Sequence, residues 1–139
     1  MLIVVTGPPC SGKTTYVSEH AQPGDIIIDF DALAQAFGAL SRNYTPALTA
    51  VTQYARGAAI RCAIGWHHRG ARVWVTDCQP SLARWQQYAR AGGHLVRLAV
   101  DPAELHRRID AERPAAYHAL ADRMLGGGYA SEGRPPDPA

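Results

Sequence analysis

Gly7, Gly12, Lys13 and Thr14, in the stretch GPPCSGKTT, satisfy the spacing G-x-x-x-x-G-K-[ST]. A glycine-bounded loop of this kind turns backbone N–H groups inward and ends at a helix N-terminus. Such an end carries unpaired N–H groups and partial positive charge, which suit a phosphate. Lys13 adds a point charge for β- and γ-phosphates, and the Thr14 hydroxyl a ligand for Mg²⁺. Pro9, Cys10, Ser11 and Thr15 complete the cradle with Gly7 and Gly12. The pattern predicts a site for ATP or another nucleoside triphosphate with Mg²⁺.

Carboxylates and arginines follow at positions where such a site would use them. Asp29 and Asp31 lie two residues apart in DFDALAQAFG, so in an extended segment both project to one side. One of them is then available to accept a hydroxyl proton and the other to bind an acceptor group or a water on Mg²⁺. Either residue could instead cap the helix that follows. Asp77 ends the apolar run RVWVTD and is expected to support Mg²⁺ or orient acceptor-side groups. Arg107, Arg108, Arg113 and Arg123 crowd the segment after the last apolar run. An arginine reaching a transferring phosphoryl group is worth on the order of 10³ to 10⁵ in rate. A short hinged element bearing it would also exclude water.

The elements that must position these groups alternate. Apolar runs at 2–6, 25–29, 72–77 and 94–100 read as strands, and helical patterns fill 13–20, 31–38, 46–69, 80–91, 102–111 and 114–125. Such alternation predicts an α/β fold: a mainly parallel four-stranded sheet in three layers, with helices on both faces and an arginine-bearing helical lid. In an open sheet of this type ligands sit beyond the carboxyl ends of the strands, where the phosphate loop, Asp29, Asp31 and Asp77 all fall.

With 139 residues, 47% of them apolar, the chain is expected to form one domain over 1–125, followed by a flexible Gly/Pro-rich tail over 126–139. A formal charge of +2 with Lys13 as the only lysine argues against a protein that coats nucleic acid, although the arginines leave room for a local anionic site. The run LIVV is too short for a signal peptide or a membrane span. Cys10, Cys62 and Cys78 have no metal-like spacing and read as reduced thiols of a cytoplasmic protein. Trp66, Trp74 and Trp85 read as core residues.

The ordered set GPPCSGKTT, IIDFDALAQAFG, VWVTDCQPSLARW and DPAELHRRIDAER resembles the kinase domain of the phage-type polynucleotide kinases and their small P-loop kinase relatives, up to about residue 125. The resemblance implies a phosphotransferase that moves the γ-phosphate of ATP to a 5′-hydroxyl, with Asp31 as general base. By the same matching, the family's aspartate after the next strand falls on Asp77, and its lid arginines fall on Arg108 and Arg113. One departure stands out: where the family places an arginine three residues after its general base, this sequence has Ala34. Arg42 and Tyr44, in SRNYTP, are the candidates to replace it on the acceptor.

The run DFDALAQAFG also resembles the D-x-D motif of shikimate kinases, but those carry a Gly-Gly-Gly where this chain has DCQ. A small-molecule acceptor, a nucleoside or hydroxymethylated base, and a P-loop hydrolase without an acceptor remain as alternatives. A regulatory GTPase would need an N-K-x-D motif that is absent. A ring-forming AAA-type ATPase generally needs a longer domain with a separate helical lid.

Overall fold

The computed structural model describes residues 1–126. The expected tail therefore lies, beyond Gly126, outside the described residues. The apolar runs form four strands, β1 (Leu2–Thr6), β2 (Ile26–Ile28), β3 (Val73–Asp77) and β4 (His94–Arg97), in one sheet of order β2-β3-β1-β4. Every pairing is parallel. Parallel neighbours cannot be joined by a tight turn, so each crossover carries helix. The crossover helices are α1 (Lys13–His20), α2 (Phe30–Ala36), α3 (Pro46–His67) and α4 (Leu82–Arg90), and α5 (Pro102–Glu112) and α6 (Ala116–Leu125) follow β4.

Side chains alternate across the central strands, which sets up two cores. Leu2, Val4, Val73 and Val75 face Ile60 and Ala63 of α3 and Trp85 and Tyr88 of α4. Ile3, Val5 and Trp74 face the opposite way, against Tyr16 and Val17 of α1. Both faces of β1 and β3 are buried, as expected for a sheet covered on two sides. Each large apolar side chain withdrawn in this way contributes about 1.5–3 kcal/mol. A third cluster, Leu105, Ile109 and Ala121, joins α5 to α6 and reaches Cys10 of the phosphate loop.

Helix starts follow capping chemistry. Asp29, Thr45, Ser81 and Asp101 each accept a hydrogen bond from a first-turn N–H, of α2, α3, α4 and α5 in turn, and prolines open α3 and α5. Each such cap is worth about 1 kcal/mol.

The boundaries differ from the sequence expectation where pairing runs out. β4 stops at Arg97 rather than at 100, because its neighbour among the described residues, β1, ends at Thr6 opposite Arg97. β2 is trimmed to three residues because Asp29 turns to cap α2. Trp66, expected in the core, is 51% exposed at the end of α3, with the Arg69 guanidinium over its ring at 5.1 Å. Strand register brings the ends of β1 and β3 level, Thr6 opposite Asp77, with β2 ending beside Val75. The residues after these strands therefore converge on one edge of the sheet.

Candidate active site

Residues 7–12 wrap tightly before α1. A Cβ at Gly7 would stand 2.6 Å from Ser11 Oγ and 2.9 Å from the Leu98 carbonyl oxygen, so only glycine fits there. Gly12, at φ 91°, supplies the left-handed turn into the helix. Cys10 is also left-handed, at φ 61°, the one non-glycine residue among those described with positive φ. Such backbone strain is stored where the surroundings over-determine it. Here the Cys10 side chain packs against the α5–α6 cluster, and its carbonyl accepts from Arg108 Nη1 at 3.3 Å. Lys13 Nζ curls over the loop and donates to the carbonyls of Gly7 (3.0 Å) and Pro8 (2.7 Å).

Asp29 is not part of an extended pair with Asp31, since the chain turns helical at Phe30. Its Oδ1 accepts the Ala32 N–H at 2.9 Å. Its Oδ2 accepts two hydroxyls, Thr76 at 2.7 Å and Thr14 at 3.2 Å. Asp29 is thus both a cap and the partner of the phosphate-loop threonine. Thr14 spends its only proton on Asp29, which leaves its oxygen lone pairs as donors for a cation.

Asp31, in the first turn of α2, looks elsewhere. Arg113, from the turn between α5 and α6, grips both carboxylate oxygens, at 3.2 and 2.5 Å. Tyr44 donates to Oδ1 at 2.5 Å and Arg42 Nη1 lies 3.4 Å from Oδ2. Burial alone would raise the Asp31 carboxyl, but the hydrogen bonds of Arg113 and Tyr44, with the charges of Arg113 and Arg42, outweigh it and hold Asp31 below the usual carboxylate range. Burial and then Asp31 push the Tyr44 phenol upward, so it stays a donor. Arg113 is raised as well: burial works against its charge, and the contact with Asp31 more than offsets it. The Arg113 guanidinium also stacks over Tyr117 at 5.2 Å, a contact from α6 that fixes its direction.

Asp77 lies level with the phosphate loop, yet its Oδ2 is already shared by Arg56, an ion pair of 3.1 Å, and the Tyr88 hydroxyl, also 3.1 Å. Arg56 comes from the middle of α3, is buried, and donates through Nη2 to the Thr76 carbonyl at 2.5 Å. Its Nε has no partner among the described residues. Arg56, Thr76 and Tyr88 are residues that sequence reading passes over: an arginine in a mostly apolar helix carries no motif, and only the fold brings it across to Asp77.

Of the expected lid arginines, Arg113 reaches Asp31, and Arg108 reaches the phosphate loop while pairing with Glu104 at 2.7 Å. Arg42 lies beside Asp31 as well. Asp29 stands with Thr14 rather than with Asp31 and Arg42. Among the described residues no group of three or more His, Cys, Asp or Glu is placed to hold a metal. That fits Mg²⁺, which is held by one or two protein oxygens plus the phosphates it accompanies. Thr14 and Asp29 are side-chain oxygens that fit that requirement.

The comparisons with known proteins bear on the family and the fold. A family model described as an AAA domain matches residues 2–123. No curated protein matches the sequence. The fold is shared with a chain of the Pnkp1/Rnl/Hen1 RNA repair complex at TM-score 0.67 and 14% identity, over 99% of this chain and 48% of that one. A second structure of a Pnkp1/Rnl/Hen1 complex gives TM-score 0.58 and 16% identity, over 77% and 38%. A candidate kinase from Chloroflexus aurantiacus gives TM-score 0.60 and 19% identity, over 96% and 71%. This chain spans less than half the length of the two repair-complex chains.

Proposed function

The chain belongs to the family described as an AAA domain and is a P-loop kinase-like domain, and on that premise we propose that it is an ATP-dependent phosphotransferase acting on a hydroxyl. The preferred acceptor is the 5′-hydroxyl of a polynucleotide or nucleoside, with Asp31 as general base. The observation that carries this reading is the meeting of two groups of opposite duty. Thr14 and Asp29 stand at the phosphate loop, and Asp31, two residues on in the first turn of α2, is gripped by a lid arginine.

In this reading the amides of residues 8–15 and Lys13 hold the triphosphate. Thr14, with Asp29 behind it and Asp77 as a further candidate, would hold Mg²⁺, which would supply charge neutralisation on the phosphate oxygens. Lys13 exchanges its carbonyl partners for phosphate oxygens. Asp31 stays ionised at neutral pH, and its basicity rises when Arg113 shifts from it towards the transferring phosphoryl group. Arg108, held against Cys10, adds charge from the loop side. A cytoplasmic setting belongs to the same reading and is supported by three cysteines that are free thiols. Among the described residues no helix is long and apolar enough to cross a membrane.

Transfer of label from γ-labelled ATP to 5′-hydroxyl oligonucleotides, nucleosides and small polyols including shikimate tests the proposal, with Asp31→Asn as control. Label on an oligonucleotide or nucleoside that disappears in the control supports it; free phosphate alone overturns it. A small-molecule acceptor is the second reading. It is favoured by Ala34, which is fully buried where the resembling kinases carry an acceptor-side arginine.

A further inference from the structure

Gly57 lies in the middle of α3, where glycine costs about 1 kcal/mol relative to alanine. A Cβ at this position would stand 3.4 Å from Arg84 Nη2 and 3.6 Å from Arg61 Nη1. Two guanidiniums from different helices therefore close on one point of the α3 surface. Neither has a carboxylate partner: Arg84 Nη1 donates to the neutral amide of Gln87 at 2.7 Å, and Arg61 has no hydrogen bond or ion pair among the described residues. Asp77, the carboxylate at the end of β3, is taken by a third guanidinium, Arg56. Arg56 and Arg84 both lie close enough to Tyr88 to oppose the upward shift that burial and Asp77 impose on its phenol. The group carries a surplus of positive charge next to the end of β3.

An aromatic ring stands on the same face. Tyr54 precedes Arg61 by seven residues, two turns of helix, and is 80% exposed. Cations that lack a counter-charge and an open ring beside them are the two elements by which proteins hold a single strand: phosphates on the cations, bases on the ring. Buried bonds also tie this part of α3 to the candidate site. Arg56 bonds the Thr76 carbonyl, and the Thr76 hydroxyl bonds Asp29. On the β2 side of the same sheet edge, Arg42 and Arg113 converge on Asp31. Two cationic positions along one edge suit an anion that repeats.

We propose that the α3–α4 face is a binding surface for a single-stranded nucleic acid, with Arg61 and Arg84 on a backbone phosphate, Gln87 fixing Arg84, and Tyr54 stacked on a base. This rests on the kinase reading and narrows its acceptor to a polymer: the hydroxyl end enters at Asp31 while the strand runs back over α3.

The test measures binding of a 5′-hydroxyl DNA or RNA strand of about 12 nucleotides, labelled at its 3′ end, over a range of salt, with inorganic phosphate and a mononucleotide as competitors. In the Arg61→Ala/Arg84→Ala variant we expect a loss of affinity on the order of tenfold or more and a salt slope reduced by about 0.7 for each contact removed. Tyr54→Ala is expected to weaken binding on the order of tenfold, and Tyr54→Phe to restore it. Affinity and slope unchanged in the double variant would overturn the proposal. So would full competition by inorganic phosphate at the concentration where the mononucleotide competes, which would mark a free-anion site. Melting curves of the variants control for folding, since these side chains lie outside the core. Phosphate transfer separates this surface from the kinase reading. A raised KM for the oligonucleotide with kcat kept supports both. Strand binding through these residues without transfer to any acceptor leaves the surface standing and removes the kinase. Transfer to 5′ ends with KM unchanged in the double variant removes the surface alone.

Discussion

Arg113 closes on both oxygens of Asp31 across 82 residues of sequence, tying the turn of the α5–α6 lid to the first turn of α2. One contact thus serves two ends: it holds the lid down, and it keeps the proposed base ionised and weakly basic.

Replacing Asp31 with asparagine keeps the size of the side chain and removes its charge. We expect kcat to fall by about 10² to 10⁴, with ATP affinity nearly unchanged because Asp31 lies apart from the phosphate loop. Normal transfer with a lowered melting temperature would reduce Asp31 to a structural residue.

Arg113→Ala tests the pairing through pH. In the fold Asp31 lies below its ordinary value, so the ionised form is the one the fold favours. Its stabilising contribution is present above the unfolded carboxylate value of about 3.9 and disappears as pH falls through the depressed folded value. Removing Arg113 raises the Asp31 value, so the variant should be less stable at neutral pH and lose less on acidification. The acid limb of kcat/KM should move to higher pH. An acid limb that stays in place would detach Asp31 from the titration.

Lys13→Ala should abolish turnover. Asp29→Asn should act differently, raising the Mg²⁺ concentration needed for half-maximal rate while Lys13 still holds the nucleotide. A Mg²⁺ titration at saturating ATP distinguishes the two, and an Asp29→Asn variant with an unchanged Mg²⁺ requirement would leave Asp29 as cap alone.

Arg56→Met leaves Asp77 buried without its cation. Breaking one partner of such a pair costs about 3–5 kcal/mol, which thermal unfolding should register as a fall of about 10 °C or more. The paired substitution Arg56→Met with Asp77→Leu should recover much of that loss, because two apolar groups need no counter-charge. A single variant that melts like the wild type would show that Asp77 finds water instead.

Much of this fold is legible in the sequence because its causes are local. β1 and β3 are apolar runs of five residues that must be buried on both faces, and the loop after β1 carries four fixed residue types. Asp31, Arg108 and Arg113 are named by the family resemblance instead, and their roles stand as proposals. What the sequence conceals is which carboxylate meets which cation. Asp29 and Asp31 look equivalent until the chain turns helical between them and sends one to Thr14 and the other to Arg113. Arg56, Arg61 and Arg84 lie on two helices separated by β3, and no spacing rule joins them across that distance.

The parallel order of the sheet also governs when the phosphate loop can exist. β1 has no partner until β3, about seventy residues further along, has been made, since Leu2 pairs with Val73 and the terminal amino group donates to the Ala71 carbonyl. On a ribosome adding about 5–20 residues per second, β1 waits several seconds as an unpaired apolar segment. Nucleotide therefore cannot template the early steps of folding, and sparse, distant contacts of this kind make for slow formation. During that interval a chaperone's natural target is the segment that later carries the phosphate loop.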